Sequence, residues 1–124
     1  MTRAELEKYI GETYNTDPDY PWEDTPQAAV FRHRSNRKWF ALTMTVGRDR
    51  LGLPEGGSVD IVNLKCGPIM LGSMLMEPGF FPAYHMSKAH WISAALDGSA
   101  EGDRIKLLLD VSYEMTAGKG RIKG

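Results

Sequence analysis

At 124 residues the chain has the size of one domain, and its 42% apolar and 25% charged residues support a core and exclude the composition of a disordered protein. A formal charge of −1 gives no whole-molecule argument for nucleic acid, and a single cysteine, Cys66, excludes an internal disulfide, so a cytoplasmic protein is expected. The first residues alternate charge with apolar side chains and offer no secretory signal, and the longest apolar stretch, Pro68 to Met76, is about half of the ~20 residues a membrane span needs. No membrane association is expected.

Thr2 followed by Glu5 has capping-box spacing, and Leu6, Tyr9, Ile10 and Thr13 recur at helical intervals, which predicts a helix over residues 3–14. Residues 15–26 then hold Pro18, Pro21 and Pro26 with Asp17, Asp19, Glu23 and Asp24, and read as an acidic loop. Charge is segregated here. Residues 1–27 carry Glu5, Glu7, Glu12, Asp17, Asp19, Glu23 and Asp24 against Arg3 and Lys8, whereas residues 28–54 carry Arg32, Arg34, Arg37, Lys38, Arg48 and Arg50 against Asp49.

Ala28 to Ser35 and Lys38 to Val46 read as a hairpin turning at Asn36-Arg37. With Ser35 facing Lys38, Phe31, His33, Phe40, Leu42, Met44 and Val46 share an apolar side, and Arg32, Arg34 and Trp39 a cationic one. Gly47 to Gly57 reads as a connection, and Ser58 to Lys65 as a third strand. Pro68 opens a short apolar helix over Ile69 to Glu77 that Pro78-Gly79 stops. Phe80–His85 and His90–Leu96 form a second hairpin turning near Met86 to Ala89. Ser99 is positioned to cap a last helix with Ile105, Leu108, Leu109, Ser112 and Tyr113 on its buried stripe, ending near Thr116. The order α-β-β-β-α-β-β-α lacks βαβ alternation and predicts an α+β fold, a two-layer antiparallel sheet with helices on one face. Residues 1–117 form the single domain, and 118–124 a basic C-terminal tail.

Four segments coincide in order with one known family: Phe31 to Met44 with Lys38-Trp39-Phe40-Ala41, Val62-Asn63-Leu64-Lys65-Cys66-Gly67-Pro68, Pro82 to Trp91 with Tyr84-His85-Met86 and Lys88, and Ser112-Tyr113. The chain resembles the MmcQ/YjbR family over nearly its whole length. That resemblance implies a two-layer α+β domain, compared with type III secretion chaperones and described as a double-wing, DNA-binding-like module. The chain departs from the family's usual pattern at Gly67 and Ile69, where acids are common, and at Ala83 and Ser87, where Gly and Asn are common.

Three candidate surfaces follow. Trp39 among Arg32, Arg34 and Arg37 combines a stacking ring with phosphate-neutralising cations, as a nucleic-acid interface requires, although a solvated hairpin with a shielded tryptophan has the same composition. Lys65, His85, Lys88 and His90 could present donors to one anion, or could serve packing and turn structure. Residues 69–76 are apolar all round and suit a core helix or a contact with a protein partner or second copy. Cys66 reads as a buried small residue. No phosphate loop, nucleophile elbow, carboxylate pair or metal-ligand spacing occurs, so no catalytic residue, metal or cofactor is expected. The leading expectation is a non-enzymatic DNA- or nucleic-acid-binding module; a chaperone-like adaptor and a small-anion or phosphate-binding protein are the alternatives.

Overall fold

A computed structural model describes residues 1–54 and 56–117. The expected tail at 118–124 lies outside the described residues. The elements are α1 (Arg3–Tyr14), β1 (Ala29–Arg32), β2 (Trp39–Gly47), a 3-10 turn (Arg48–Leu51), β3 (Ser58–Lys65), α2 (Pro68–Met74), β4 (Phe80–Pro82), β5 (Trp91–Ala95) and α3 (Gly102–Thr116). Every strand pairing is antiparallel, in the spatial order β1-β2-β3-β5-β4. This is the expected α+β architecture.

Helix α1 begins as its sequence dictates. The Glu5 amide donates to the Thr2 hydroxyl at 3.2 Å, and the Thr2 amide donates to the Glu5 carboxylate at 2.8 Å, so two amides that lack helical acceptors are satisfied. Helix α3 starts differently from expectation. Its N-cap is Glu101, without a side-chain cap bond, because Ser99 is consumed by the preceding turn: its amide donates to Asp97 Oδ1 at 2.9 Å and its hydroxyl to the same oxygen. The stripe of Ile105, Leu108, Leu109 and Ser112 is buried as read, and Tyr113 packs partly buried against it.

All three helices cover one face of the sheet. Leu6 and Ile10 of α1, Leu71 and Met74 of α2, and Ile105, Leu108 and Leu109 of α3 join Phe31, Phe40, Val62, Leu64 and Ile92 in one core. A second apolar layer lies on the opposite face, where Val30, Leu42, Met44, Val46, Val59 and Ile61 pack under Trp22, Trp39, Leu51, Phe81, Tyr84 and Met86. Those covering side chains come largely from the connections, not from helices.

The first hairpin departs from the expected register. Val30 pairs with Leu42 and Phe31 with Ala41, but Arg32 pairs with Trp39, so Phe40 is an extra residue in a β-bulge. Its turn spans His33 to Lys38, with the His33 amide donating to Lys38 O at 2.9 Å and Arg37 in the left-handed region at φ 64°. One inserted residue inverts the alternation. Phe31 and Phe40 consequently face the helices, whereas Leu42, Met44 and Val46 face the other way together with Trp39, and the expected single apolar side is divided between the two layers.

The bulge leaves the β2–β3 ladder one pair short, ending at Ala41 opposite Leu64. Ser112 of α3 fills the gap: its hydroxyl donates to Phe40 O at 2.6 Å and accepts from the Lys65 amide at 2.9 Å. Beside it His33 Nε2 and Thr116 Oγ1 share a 2.7 Å hydrogen bond, and the His33 ring lies 4.2 Å from that of Tyr113. The second hairpin is also shorter than expected, since β4 ends at Pro82 and β5 starts at Trp91, leaving residues 83–90 as a covering loop. Gly79 enters β4 at φ 83°, where a Cβ would stand 2.3 Å from the Ala100 amide nitrogen, so glycine is required there.

Replacing Ser112 by alanine removes the hydroxyl that satisfies Phe40 O and the Lys65 amide. The expected loss is about 2–3 kcal/mol in urea unfolding, with an unchanged m-value. A loss below about 0.5 kcal/mol would show that the bulge does not depend on this hydroxyl.

Candidate binding cleft on the helix-free face

The helix-free face is shaped by two loops laid across it. The segment before β1 is tied down by reciprocal backbone bonds between Asp19 and Val30, at 2.9 and 2.8 Å, which bring Trp22 over the sheet. The loop over residues 83–90 is held by a buried polar cluster. Asn63 and Ser93 are directly paired across β3 and β5, and the Ser93 hydroxyl donates to Asn63 Oδ1. Asn63 Nδ2 in turn donates to Tyr84 O at 2.9 Å, and the Tyr84 amide donates to Ser93 Oγ at 3.0 Å. Two buried side chains thereby satisfy each other and both backbone groups of Tyr84, which makes the cluster self-consistent in an apolar setting.

From this anchor the loop turns back on itself. His85 sits at φ 61°, a conformation histidine tolerates better than most residues, with its ring 4.0 Å from that of Tyr84. Lys88 Nζ donates to Ala83 O at 2.8 Å, and the Trp91 amide donates to Ser87 O at 2.9 Å, closing the loop into β5.

Between the two loops lies a cleft of about 380 Å³. Leu42 and Met44 of β2 form its floor, Trp22, Asp24 and Thr25 line it from one loop, His85 and Met86 from the other, and Trp39 from the start of β2. The two indoles meet edge to face at 5.6 Å and 85°. A smaller cleft of about 240 Å³ shares Thr25, Met44 and His85 with the first and reaches Arg50 and Tyr84. A third, of about 260 Å³, shares Arg50 and Tyr84 and reaches Lys88. Together they trace one groove from the tryptophan pair to Arg50 and Lys88, largely apolar at the first end and cationic at the second.

The residues expected at a nucleic-acid surface are partly brought together. Arg32 lies 5.6 Å from the Trp39 ring centroid and pairs with Asp19 at 2.9 Å, so its charge is already compensated. Arg34 is exposed and donates to Asn15 O at 3.1 Å; Arg37 and Lys38 are exposed in the turn leading into Trp39. The anion-site candidates are spread out. His85 lines the tryptophan cleft and Lys88 the cleft beside Arg50, while Lys65 pairs with Trp91 and His90 O accepts from the Cys66 amide, beside the start of α2. Cys66 is fully buried, and burial pushes its thiol above the ordinary range, which disfavours the thiolate. Among the described residues no group of three His, Cys, Asp or Glu side chains could hold a metal ion, and no helix is long and apolar enough to cross a membrane.

Sequence reasoning missed Trp22, Asp24, Thr25 and Arg50 as site residues. Trp22 carried a usable signal, because a large apolar ring in a proline-punctuated acidic loop is unfavourable in water unless it covers something.

Replacing Ser93 by alanine leaves the Tyr84 amide and Asn63 Oδ1 without these partners. Hydrogen exchange at residues 83–90 is expected to accelerate while exchange in β2 and β3 stays slow, and stability to fall by about 1–3 kcal/mol. Unchanged protection of the loop would remove this cluster from its anchoring role.

The YjbR family model matches residues 4–115. A relative from Bacillus subtilis (strain 168), the uncharacterized protein YyaQ, is 41% identical over 116 residues, covering 94% of this chain and 98% of its own. The crystal structure of a Pseudomonas syringae protein aligns with a TM-score of 0.92 at 40% identity, covering 94% of this chain and 100% of that one. A Deinococcus radiodurans protein with the DUF419 family-model domain, 23% identical, aligns with a TM-score of 0.70 over 96% of this chain and 80% of its own, and shares the fold. The chain belongs to the YjbR family.

Proposed function

We propose that the protein binds single-stranded nucleic acid, with backbone phosphates on the β1–β2 turn and an unstacked base in the tryptophan cleft. The observation that carries this reading is the position of Trp39, which follows directly on the exposed Arg37 and Lys38 and also lines a concave aromatic cleft. Cations neutralise phosphate without regard to sequence, and indoles stack on any base. A concave cleft suits a single strand better than a duplex, whose bases are already stacked inside the helix. The resemblance to a double-wing, DNA-binding-like module agrees with this reading.

The electrostatics limit the strength of such binding. Asp19 compensates Arg32, and Asp24 lines the cleft itself, so phosphate contacts fall to Arg34, Arg37 and Lys38. Three phosphate contacts on a single strand predict a log–log salt slope of about −2, an affinity loss of about twentyfold between about 50 and 200 mM salt. Quenching of tryptophan fluorescence by a short oligothymidylate measures it. Changing Arg34 and Arg37 together to glutamate is expected to weaken binding at least about tenfold and flatten the slope. The reading fails if the native protein binds no single strand at low salt, or if the double variant binds as well.

A second reading, contact with a partner protein or a second copy through residues 69–76, is favoured by Ile69 and Met76, which are 90% and 85% exposed while Leu71 and Met74 of the same segment are buried. Self-association through it predicts a dimer in sedimentation that changing Ile69 and Met76 to serine abolishes. A native monomer at high protein concentration excludes that form of the contact.

A further inference from the structure

We infer that the tryptophan cleft is a base subsite selective for guanine, with Asp24 as the reading group. This rests on the nucleic-acid reading above and adds base identity to it. Most of the lining explains affinity without choice, since Leu42, Met44 and Met86 offer dispersion contacts alone and Trp22 and Trp39 add stacking rings whose indole N–H can only donate. The one carboxylate among the described lining residues is Asp24, exposed and without a hydrogen-bond or ion-pair partner among the described residues. A carboxylate only accepts hydrogen bonds, so it rejects phosphate and carbonyl edges and selects N–H donors.

The four bases differ in what they can offer it. Guanine presents its ring N1–H and exocyclic amine side by side, two donors for two carboxylate oxygens. Adenine and cytosine set their amine next to a ring acceptor, and thymine or uracil flanks its one ring N–H with two carbonyls, so each of these places a repelling lone pair against the carboxylate. His85 lines the same cleft from the other covering loop and supplies a ring N–H, which suits the acceptors on guanine's remaining edge. The cationic groups lie outside this chamber, on the turn before Trp39 and at Arg50 further along the groove, so phosphate and base edge are sorted to different ends by charge.

The test uses a short oligothymidylate carrying one central guanine, hypoxanthine, adenine or cytosine, with tryptophan fluorescence as the readout. The guanine oligomer is expected to bind at least about tenfold more tightly than the adenine and cytosine oligomers, and hypoxanthine, which lacks the exocyclic amine, to lose most of that gain. In Asp24→Asn, where one acceptor becomes a donor, the guanine-to-adenine ratio is expected to fall to near one. Equal affinity of the native protein for all the oligomers, or a preference that survives in Asp24→Asn, overturns the guanine assignment and leaves strand binding standing. Binding of none of them overturns both.

Discussion

Phe40 and Ala41 lie on the same side of the sheet, and much of the molecule follows from that one break in alternation. The inserted residue puts the Phe40 ring under the helices, where it packs edge-on against Tyr14 and Tyr113, and leaves Trp39 on the opposite face beneath Arg32. An unbulged strand would have had to place Phe40 in one layer with Leu42, Met44 and Val46. The bulge lets a single strand serve two apolar layers and frees a carbonyl and an amide from the ladder, which a hydroxyl 72 residues away from Phe40 then satisfies. Ser112 is thus tied to the shape of the β1–β2 hairpin, although the two are distant in the chain.

The two faces are covered by different physical means. Helices satisfy their own backbone groups and so can cover a sheet with apolar contacts alone. Loops cannot, and on the helix-free face each covering segment needs polar fastening: Asp19 by backbone pairing to β1, and Tyr84 by the Asn63–Ser93 pair. A cover fastened at separate points leaves gaps between the points. The groove that runs from Trp22 to Lys88 occupies those gaps, which is why it combines tryptophans and methionines from the apolar layer with charged groups from the loop rims.

Segregated charge along the chain takes on a different meaning in three dimensions. The acidic segment over residues 15–26 and the basic hairpin are consecutive, and the structure lays one along the other, so Asp19 neutralises Arg32 instead of leaving a uniformly cationic surface. What remains open is a short cationic turn at Arg34, Arg37 and Lys38, next to an aromatic chamber that contains a carboxylate. Under the proposed function, this division into cationic and carboxylate-bearing parts suits a ligand with both an anionic and a hydrogen-bonding end.

Local patterns in the chain were sufficient for α1, with its capping box, for β3 from Ser58 to Lys65, and for the buried stripe of α3, because each is set by near neighbours and a regular period. The α+β class also followed from element order. The Phe40 bulge did not, since alternation in sequence does not reveal where a residue is skipped, and the partner that makes the skip affordable sits on the last helix. The candidate site was half legible: Trp39 and His85 stood out by type, but Trp22 and Asp24 reach them only through the path of a loop across the sheet. Of the residues from Tyr84 to Trp91, conspicuous for two histidines and a lysine, His85 lines the tryptophan cleft next to Tyr84, which the buried Asn63–Ser93 pair holds, whereas His90 O accepts from the Cys66 amide. Sequence by itself determined the elements and their apolar faces through short-range periodicity; tertiary structure alone decided which side chains meet, because loop paths and skipped residues are settled by hydrogen bonds between groups far apart in the chain.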